Sequence, residues 1–224
     1  MLTTTAQSIL SAARQRGWVL EPDAKQIMRE AGLLVPEGRY ATTLEEAVRF
    51  AGQIGYPLVA KVVSPTVLHK SDAGGVVTGI QTEQALQAAF SRISRIDGFA
   101  GVLLEETAQG LELIVGAKVD AQFGPVILLG IGGTGVEIYQ DVAIRMAPLA
   151  PDDVRSMVRS LKGRKLLEGY RGEEALNMDN LVRTLTVFST LVVEMQELIE
   201  SIDLNPVMCK ASTCVIADAR IIMR

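Results

Sequence analysis

The stretch Lys61-Val62-Val63-Ser64-Pro65-Thr66-Val67-Leu68-His69-Lys70-Ser71-Asp72-Ala73-Gly74-Gly75 gathers several side chains capable of chemistry. Lys61 lies towards the end of an apolar run, which gives its ammonium a fixed stem and a point charge suited to phosphate. The loop behind it is polar and closes on two glycines, where backbone N–H groups can approach an anion. Within it lies His69, the only histidine of the chain. Histidine serves as base, ligand or nucleophile near neutral pH. Residue types alone favour a plainer reading, a surface loop with an incidental histidine.

A second cluster is rich in oxygen ligands. Asp203-Leu204-Asn205-Pro206 and Asp218 fall on two consecutive C-terminal strands, and hard oxygens of this kind suit Mg²⁺ bridging nucleotide phosphates. The plainer account is an ordinary turn, since Asn-Pro favours loops and acids at strand ends are commonly solvated. Glu112 opens another strand. Gly130-Ile131-Gly132-Gly133-Thr134-Gly135 satisfies G-x-G-x-x-G, yet Val136-Glu137-Ile138-Tyr139 alternates like a strand where a dinucleotide site needs a helix. A glycine turn between strands fits better, with a flexible loop on phosphates as a third reading. Arg145 and Arg171 could grip phosphate or a partner's acids, although surface salt bridges are the commoner role. Cys209 and Cys214 lack the further His or Cys pair that zinc needs, and read as small residues packed in strands.

These residues must be held by a sizeable core. The 224 residues fill one large domain or two small ones, with 48% hydrophobic and 21% charged residues arguing against disorder. Lys and Arg number 22 against 26 for Asp and Glu, a net charge of −4, so the basic excess of a nucleic-acid binder is missing. One His and two Cys exclude a His-rich metal centre and a disulfide scaffold. The N-terminus lacks the pattern of a signal peptide, and Val126 to Ile131 is far short of the ~20 residues that span a bilayer. The expectation is a soluble cytoplasmic protein with no membrane partner.

Apolar spacing predicts helices over Thr3–Arg16, Asp23–Glu30, Gln84–Ile96 and Asp179–Leu198. Thr43-Leu44-Glu45-Glu46 matches a capping box for a helix running to Gly55, and Pro151 opens another. Strands are expected at Leu33–Val35, Pro57–Val63, Val76–Ile80, Gly101–Glu106, Glu112–Val119, Val126–Gly130, Ser201–Met208 and Thr213–Ala219. The strands come in pairs without intervening helices, which favours a layered α+β architecture over a doubly wound parallel sheet. The whole reads as a single domain, 1–224, dividing intimately near Glu106 into an N-terminal part (1–106) and a C-terminal part (107–224).

Taken in order, these segments resemble the ATP-grasp (beta) subunit of the ADP-forming acetate–CoA ligases, or ADP-forming acyl-CoA synthetases. The resemblance runs from about Glu21 to Ile222. It rests on Lys61 through Gly75, Glu112-Leu113-Ile114-Val115-Gly116, Gln122-Phe123-Gly124-Pro125, Gly132-Gly133 with Val136-Glu137, Asp141 to Leu149, Glu168-Gly169-Tyr170-Arg171-Gly172, Asp203 to Pro206 and Ala217-Asp218-Ala219-Arg220. It implies an ATP-grasp fold, two α+β subdomains with the nucleotide bound between them. It also implies Lys61 on the nucleotide phosphates, Glu105, Glu106 and Ala108 in the hinge segment at adenine, and Glu112 at the ribose and phosphate side. Lys70, Gly132, Gly133 and Arg145 complete the candidate nucleotide-binding residues. Asn205 and Asp218 match Mg²⁺ ligands, with Asp203 as a weaker candidate, and His69 matches the histidine that carries phosphate. The implied reaction is acyl-CoA + ADP + phosphate ⇌ carboxylic acid + CoA + ATP, run with an alpha subunit in a hetero-oligomer. Two rival readings remain at this point. One is an ATP-grasp ligase joining a carboxylate to an amine, which has no use for His69; the other is a non-catalytic nucleotide-binding subunit.

Overall fold

In a computed structural model, described for residues 1–133, 141–170 and 174–224, the chain forms two compact units. The smaller is Pro36–Ala108; the larger joins Met1–Val35 to Gln109–Arg224. This differs from the division at 1–106 and 107–224, because the first 35 residues belong with the C-terminal part. Their apolar faces explain it: Leu10, Ile27 and Met28 are buried in the same core as Val115, Phe188 and Ile221. Thr134, Gly135, Val136-Glu137-Ile138-Tyr139 and Arg171 lie outside the described residues.

The smaller unit runs β2 (Gly38–Ala41), α1 (Leu44–Ile54), β3 (Leu58–Val63), β4 (Val76–Ile80), α2 (Glu83–Ile93) and β5 (Gly101–Glu106). Its strands form one antiparallel sheet in the order β2-β5-β3-β4. Leu58, Ala60 and Val62 of β3 and Val102 and Leu104 of β5 share a core with Ala47, Leu86, Phe90 and Ile93 of the helices. Since side chains alternate along a strand, Lys61 and Glu105 fall on the opposite face. Each helix starts on a threonine, whose hydroxyl accepts an otherwise unpaired N–H: Thr43 from Glu46 and Thr82 from Ala85. The Glu46 carboxylate reaches one residue beyond the expected box, accepting from the N–H of Thr42 at 2.8 Å and from its hydroxyl. Those bonds hold the Glu46 carboxyl below its ordinary range.

The larger unit starts with α3 (Thr4–Ala13), β1 (Trp18–Val19) and α4 (Glu21–Glu30). It resumes with β6 (Leu111–Asp120), β7 (Gly124–Ile131), β8 (Val142–Met146) and α5 (Pro151–Ser160). After a 3-10 turn at Arg164–Leu166 come α6 (Met178–Met195), β9 (Ile199–Cys209), β10 (Cys214–Ile216) and β11 (Arg220–Met223). The sheet order is β1-β11-β9-β6-β7-β8, with β10 also on β9. Of the strand expected over Thr213–Ala219 only β10 forms, the chain turning at Ala217-Asp218-Ala219 before the further strand β11, while Leu33–Val35 reduces to a single bridge from Leu34 to Val215. The strand pairs are antiparallel, as the paired-strand pattern predicts, and β7 runs directly against both β6 and β8. That arrangement leaves no βαβ unit for the glycine run to serve as a dinucleotide fingerprint. Cys209 and Cys214 are buried in strands, as expected, and are also directly opposite one another and joined as a disulfide.

One face of this sheet, with Leu113, Val115, Ile127, Leu129, Ile202 and Leu204, is buried in a core with Leu181, Leu185, Phe188 and Val192 of α6. The other face carries Glu112, Gly116, Asp203 and Asn205. Phe188 is fully enclosed at the centre of the core. Phe188→Ala is expected to cost about 3–5 kcal/mol, read as a lower urea midpoint with an unchanged slope.

Candidate functional site

The His69 loop is built on β3 and β4. Its entry is fixed by Ser64, which is 4% exposed and donates its hydroxyl to the Asp97 carbonyl at 2.8 Å. Thr66 donates its N–H to the Ser64 hydroxyl and its own hydroxyl to the Asp97 carboxylate at 3.0 Å. The exit is closed by two 2.7 Å backbone bonds, from Gly75 N–H to the Lys70 carbonyl and from Val62 N–H to the Gly75 carbonyl. Gly75 is needed for that closure, because a Cβ there would lie 2.4 Å from Val62 Cγ1 and 3.0 Å from the Lys70 oxygen. Between these ends the chain turns tightly, with Ala73 N–H donating to the His69 carbonyl. His69 itself is exposed, and Lys70 beside it is half-buried. A rigid stem thus presents one imidazole to solvent.

Lys61 sits differently. Its side chain is 7% exposed and its Nζ lies 3.2 Å from Glu105 Oε2, whose side chain is 3% exposed. In the ladder Lys61 stands opposite Leu103, so Glu105 is its diagonal neighbour on the same face. Gly38 stands opposite Glu105, where a Cβ would come within 2.8 Å of Glu105 Cγ. Glu105 lies inside β5, within the strand expected over Gly101–Glu106, and turns its carboxylate onto Lys61. Glu106 accepts from Glu37 N–H at 3.0 Å and donates its own N–H to the Glu37 carbonyl. Ala108, half-buried, closes the smaller unit.

In the larger unit, β6 and β9 bring Glu112, Asp203 and Asn205 to one sheet face. Gly132 packs on Glu112: its N–H donates to the Glu112 carbonyl at 2.6 Å, and a Cβ on Gly132 would lie 2.8 Å from Glu112 Cβ. Gly133, at φ +87°, continues the turn past the same glutamate. Across β9, Ala217 N–H donates to the Pro206 carbonyl at 3.0 Å, which sets Asp218 next to Asn205. Asp203 is engaged by Arg220, Nη2 to Oδ2 at 2.8 Å. The donor set that fits Mg²⁺ is then the Asp218 carboxylate and the Asn205 amide oxygen. Such an ion is typically held by one or two protein groups plus phosphates and waters. No group of three or more His, Cys, Asp or Glu that could hold a metal occurs among the described residues.

Arg145 is not brought to this face. It pairs with Ile127, on the side that faces the helices, and donates to Ser156 Oγ of α5 at 3.0 Å. Glu21 and Lys25, which no motif marks, are charged yet buried at 6% and 2% exposure. Their one signal was the i,i+4 spacing on an N-terminal helix. Among the described residues no helix is long and apolar enough to cross a membrane.

The ATP-grasp domain family matches residues 11–223. The acetate–CoA ligase [ADP-forming] I subunit beta of Pyrococcus furiosus is 38% identical, over 97% of this chain and 97% of that one. The chain belongs to the ATP-grasp beta subunits of ADP-forming acetate–CoA ligases. Among solved structures, the dinucleotide forming acetyl-coenzyme A synthetase 1 of Ca. Korarchaeum cryptofilum, in complex with coenzyme A, Ca-AMPCP and HgCl+, superposes with a TM-score of 0.91. It is 37% identical and is covered completely, with 98% of this chain matched. The same synthetase with coenzyme A and Mg-AMPPCP, its phosphohistidine segment pointing towards the nucleotide binding site, gives a TM-score of 0.85 at 38% identity, covering 98% of this chain and 100% of that one. The expected α+β fold is thus the ATP-grasp fold.

The Lys61–Glu105 pair generates a stability prediction for this beta subunit. Glu105→Ala removes the carboxylate that balances a buried ammonium and is expected to cost on the order of 3–5 kcal/mol, measured by urea denaturation. Replacing both residues with apolar ones of similar volume should recover most of the loss of stability.

Proposed function

We propose that this chain is the nucleotide-binding subunit of an ADP-forming acyl-CoA synthetase and relays a phosphoryl group through His69 to ADP. Together with an alpha subunit that carries the CoA and acyl site, it would run acyl-CoA + ADP + phosphate ⇌ carboxylic acid + CoA + ATP. The observation that carries the reading is the placement of the solitary histidine: exposed, on a loop whose two ends are fixed. A neutral imidazole is a competent nucleophile, and a covalent phosphohistidine divides one difficult transfer into two. In the first step a ring nitrogen of His69 takes the phosphoryl group delivered by the alpha subunit, forming a P–N bond as the donor's bond to phosphorus breaks. In the second, a β-phosphate oxygen of ADP attacks the same phosphorus, the P–N bond breaks and the imidazole is regenerated.

The remaining residues position and neutralise. Lys61, with its stem fixed in β3, and Glu112, held against Gly132-Gly133, would bind the nucleotide, with Lys70 at the phosphates. Asp218 and Asn205 would hold Mg²⁺, which when bound neutralises phosphate charge. Phosphoryl transfer depends mainly on such placement and electrostatics. Arg145, bonded to Ser156 on the helix-facing side, is left out of this set. The amine-ligase alternative has no role for an exposed histidine on an anchored loop, which favours the relay.

Three experiments test this reading. With the alpha partner, acyl-CoA and radiolabelled phosphate, acid-labile label should appear on this chain at His69. His69→Ala should abolish ATP formation while ADP binding by calorimetry is kept; normal turnover by that variant refutes the relay. Asp218→Asn should raise the Mg²⁺ concentration needed for half-maximal nucleotide binding about tenfold or more, and an unshifted titration removes Asp218 as a ligand.

A further inference from the structure

Among the described residues Lys25 is the most deeply buried charged residue of the larger unit, and the proposed chemistry gives it no part. Its side chain is 3% exposed and its Nζ lies 2.9 Å from Glu21 Oε1, one helical turn earlier, on a side chain 4% exposed. Burying two charges costs several kcal/mol per ion before their attraction offsets it, so an apolar pair would fill the same space at no such cost. Lys25 also stands near the N-terminus of α4, the end at which the helix dipole disfavours a cation. Packing alone does not account for an ammonium here.

What the ammonium reaches does. Lys25 Nζ donates at 2.7 Å to the carbonyl of Ala217, 192 residues further along the chain. Ala217 opens the short turn Ala217-Asp218-Ala219 between β10 and β11. Its N–H is bound on the other side to the Pro206 carbonyl, beside Asn205. Both backbone groups of Ala217 are thus fixed, one by α4 and one by β9. Past the turn, Ala219 is buried and Arg220 is bonded to Asp203. The peptide on each side of Asp218 is held, and the half-buried Asp218 carboxylate is presented from that frame.

We propose that Lys25, oriented by Glu21, is a positioning residue that fixes the 217–219 turn so that Asp218 meets the metal–nucleotide complex. The proposal rests on the reading of Asp218 as a Mg²⁺ ligand. It assigns to the start of the chain a role in metal binding by its end. A charge-assisted bond suits the task because it is stronger and more directional than a neutral contact, and groups behind a metal ligand commonly set affinity by orienting it.

The test is Mn²⁺ binding in the presence of ADP, followed by electron paramagnetic resonance on the full chain, with thermal melting alongside. In Glu21→Gln/Lys25→Met the charges are removed together and the volume is nearly kept. Lys25→Arg keeps the positive charge but replaces the compact ammonium at the Ala217 carbonyl with a bulkier planar guanidinium, which disturbs the geometry of the turn. Each folded variant should bind Mn²⁺ about 10–100-fold more weakly, while ADP affinity measured in EDTA stays at the wild-type value. If the double variant fails to fold, Lys25→Arg decides. Wild-type Mn²⁺ affinity in either folded variant overturns the proposal. Asp218→Asn separates the two readings. If it weakens Mn²⁺ and the Lys25 variants do not, only the positioning role fails. If it leaves Mn²⁺ affinity unchanged, the ligand assignment fails and the role of Lys25 falls with it.

Discussion

The period-two alternation of side chains along paired antiparallel strands is the constraint on which the structure depends. In the larger unit, β6 and β9 are hydrogen-bonded partners over most of their length. Leu113, Val115, Ile202 and Leu204 therefore face a shared core while Glu112, Asp203 and Asn205 face away from it. A one-residue slip of register would bury the carboxylates and expose the leucines, so the hydrophobic effect that folds the sheet also fixes the polar face. The smaller unit repeats the logic, with Leu58, Ala60 and Val62 in its core and Lys61 on the other side.

Two buried lysines show how the chain handles charge around such faces. Lys61 meets Glu105 across a strand pair, and Lys25 meets Glu21 along a helix turn. Neither pair is an economical source of stability, because desolvation cancels much of the attraction. Each does fix an ammonium in one place. In β3 that ammonium is set beside the loop that bears His69; in α4 it is set on the backbone next to Asp218. The common feature is a cation whose position is fixed by a buried carboxylate partner.

Anchoring and exposure are also divided by local chemistry. Ser64, Thr66, Gly75 and Asp97 lock the two ends of the His69 loop with short hydrogen bonds. The imidazole, by contrast, is left outside the packed core. A carrier that receives a group at one place and gives it up at another needs this combination of a fixed base and an accessible side chain.

The sequence by itself determined the elements and most of the chemistry. Apolar periodicity placed β4 and β5 to the residue, the capping threonine at Thr43 marked the start of its helix, and unbroken strand pairs signalled α+β. The lone histidine between a lysine-bearing strand and two glycines marked the loop. Only the tertiary structure decided that the first 35 residues join the C-terminal unit, because that depends on which core their apolar faces find. It also decided that Glu105 serves Lys61, that Arg145 turns towards Ser156, and that Lys25 holds Ala217. These are contacts across the ladder or across 192 residues of chain. Local patterns encode which way a strand faces, but long-range partners are fixed only when the sheets and helices pack.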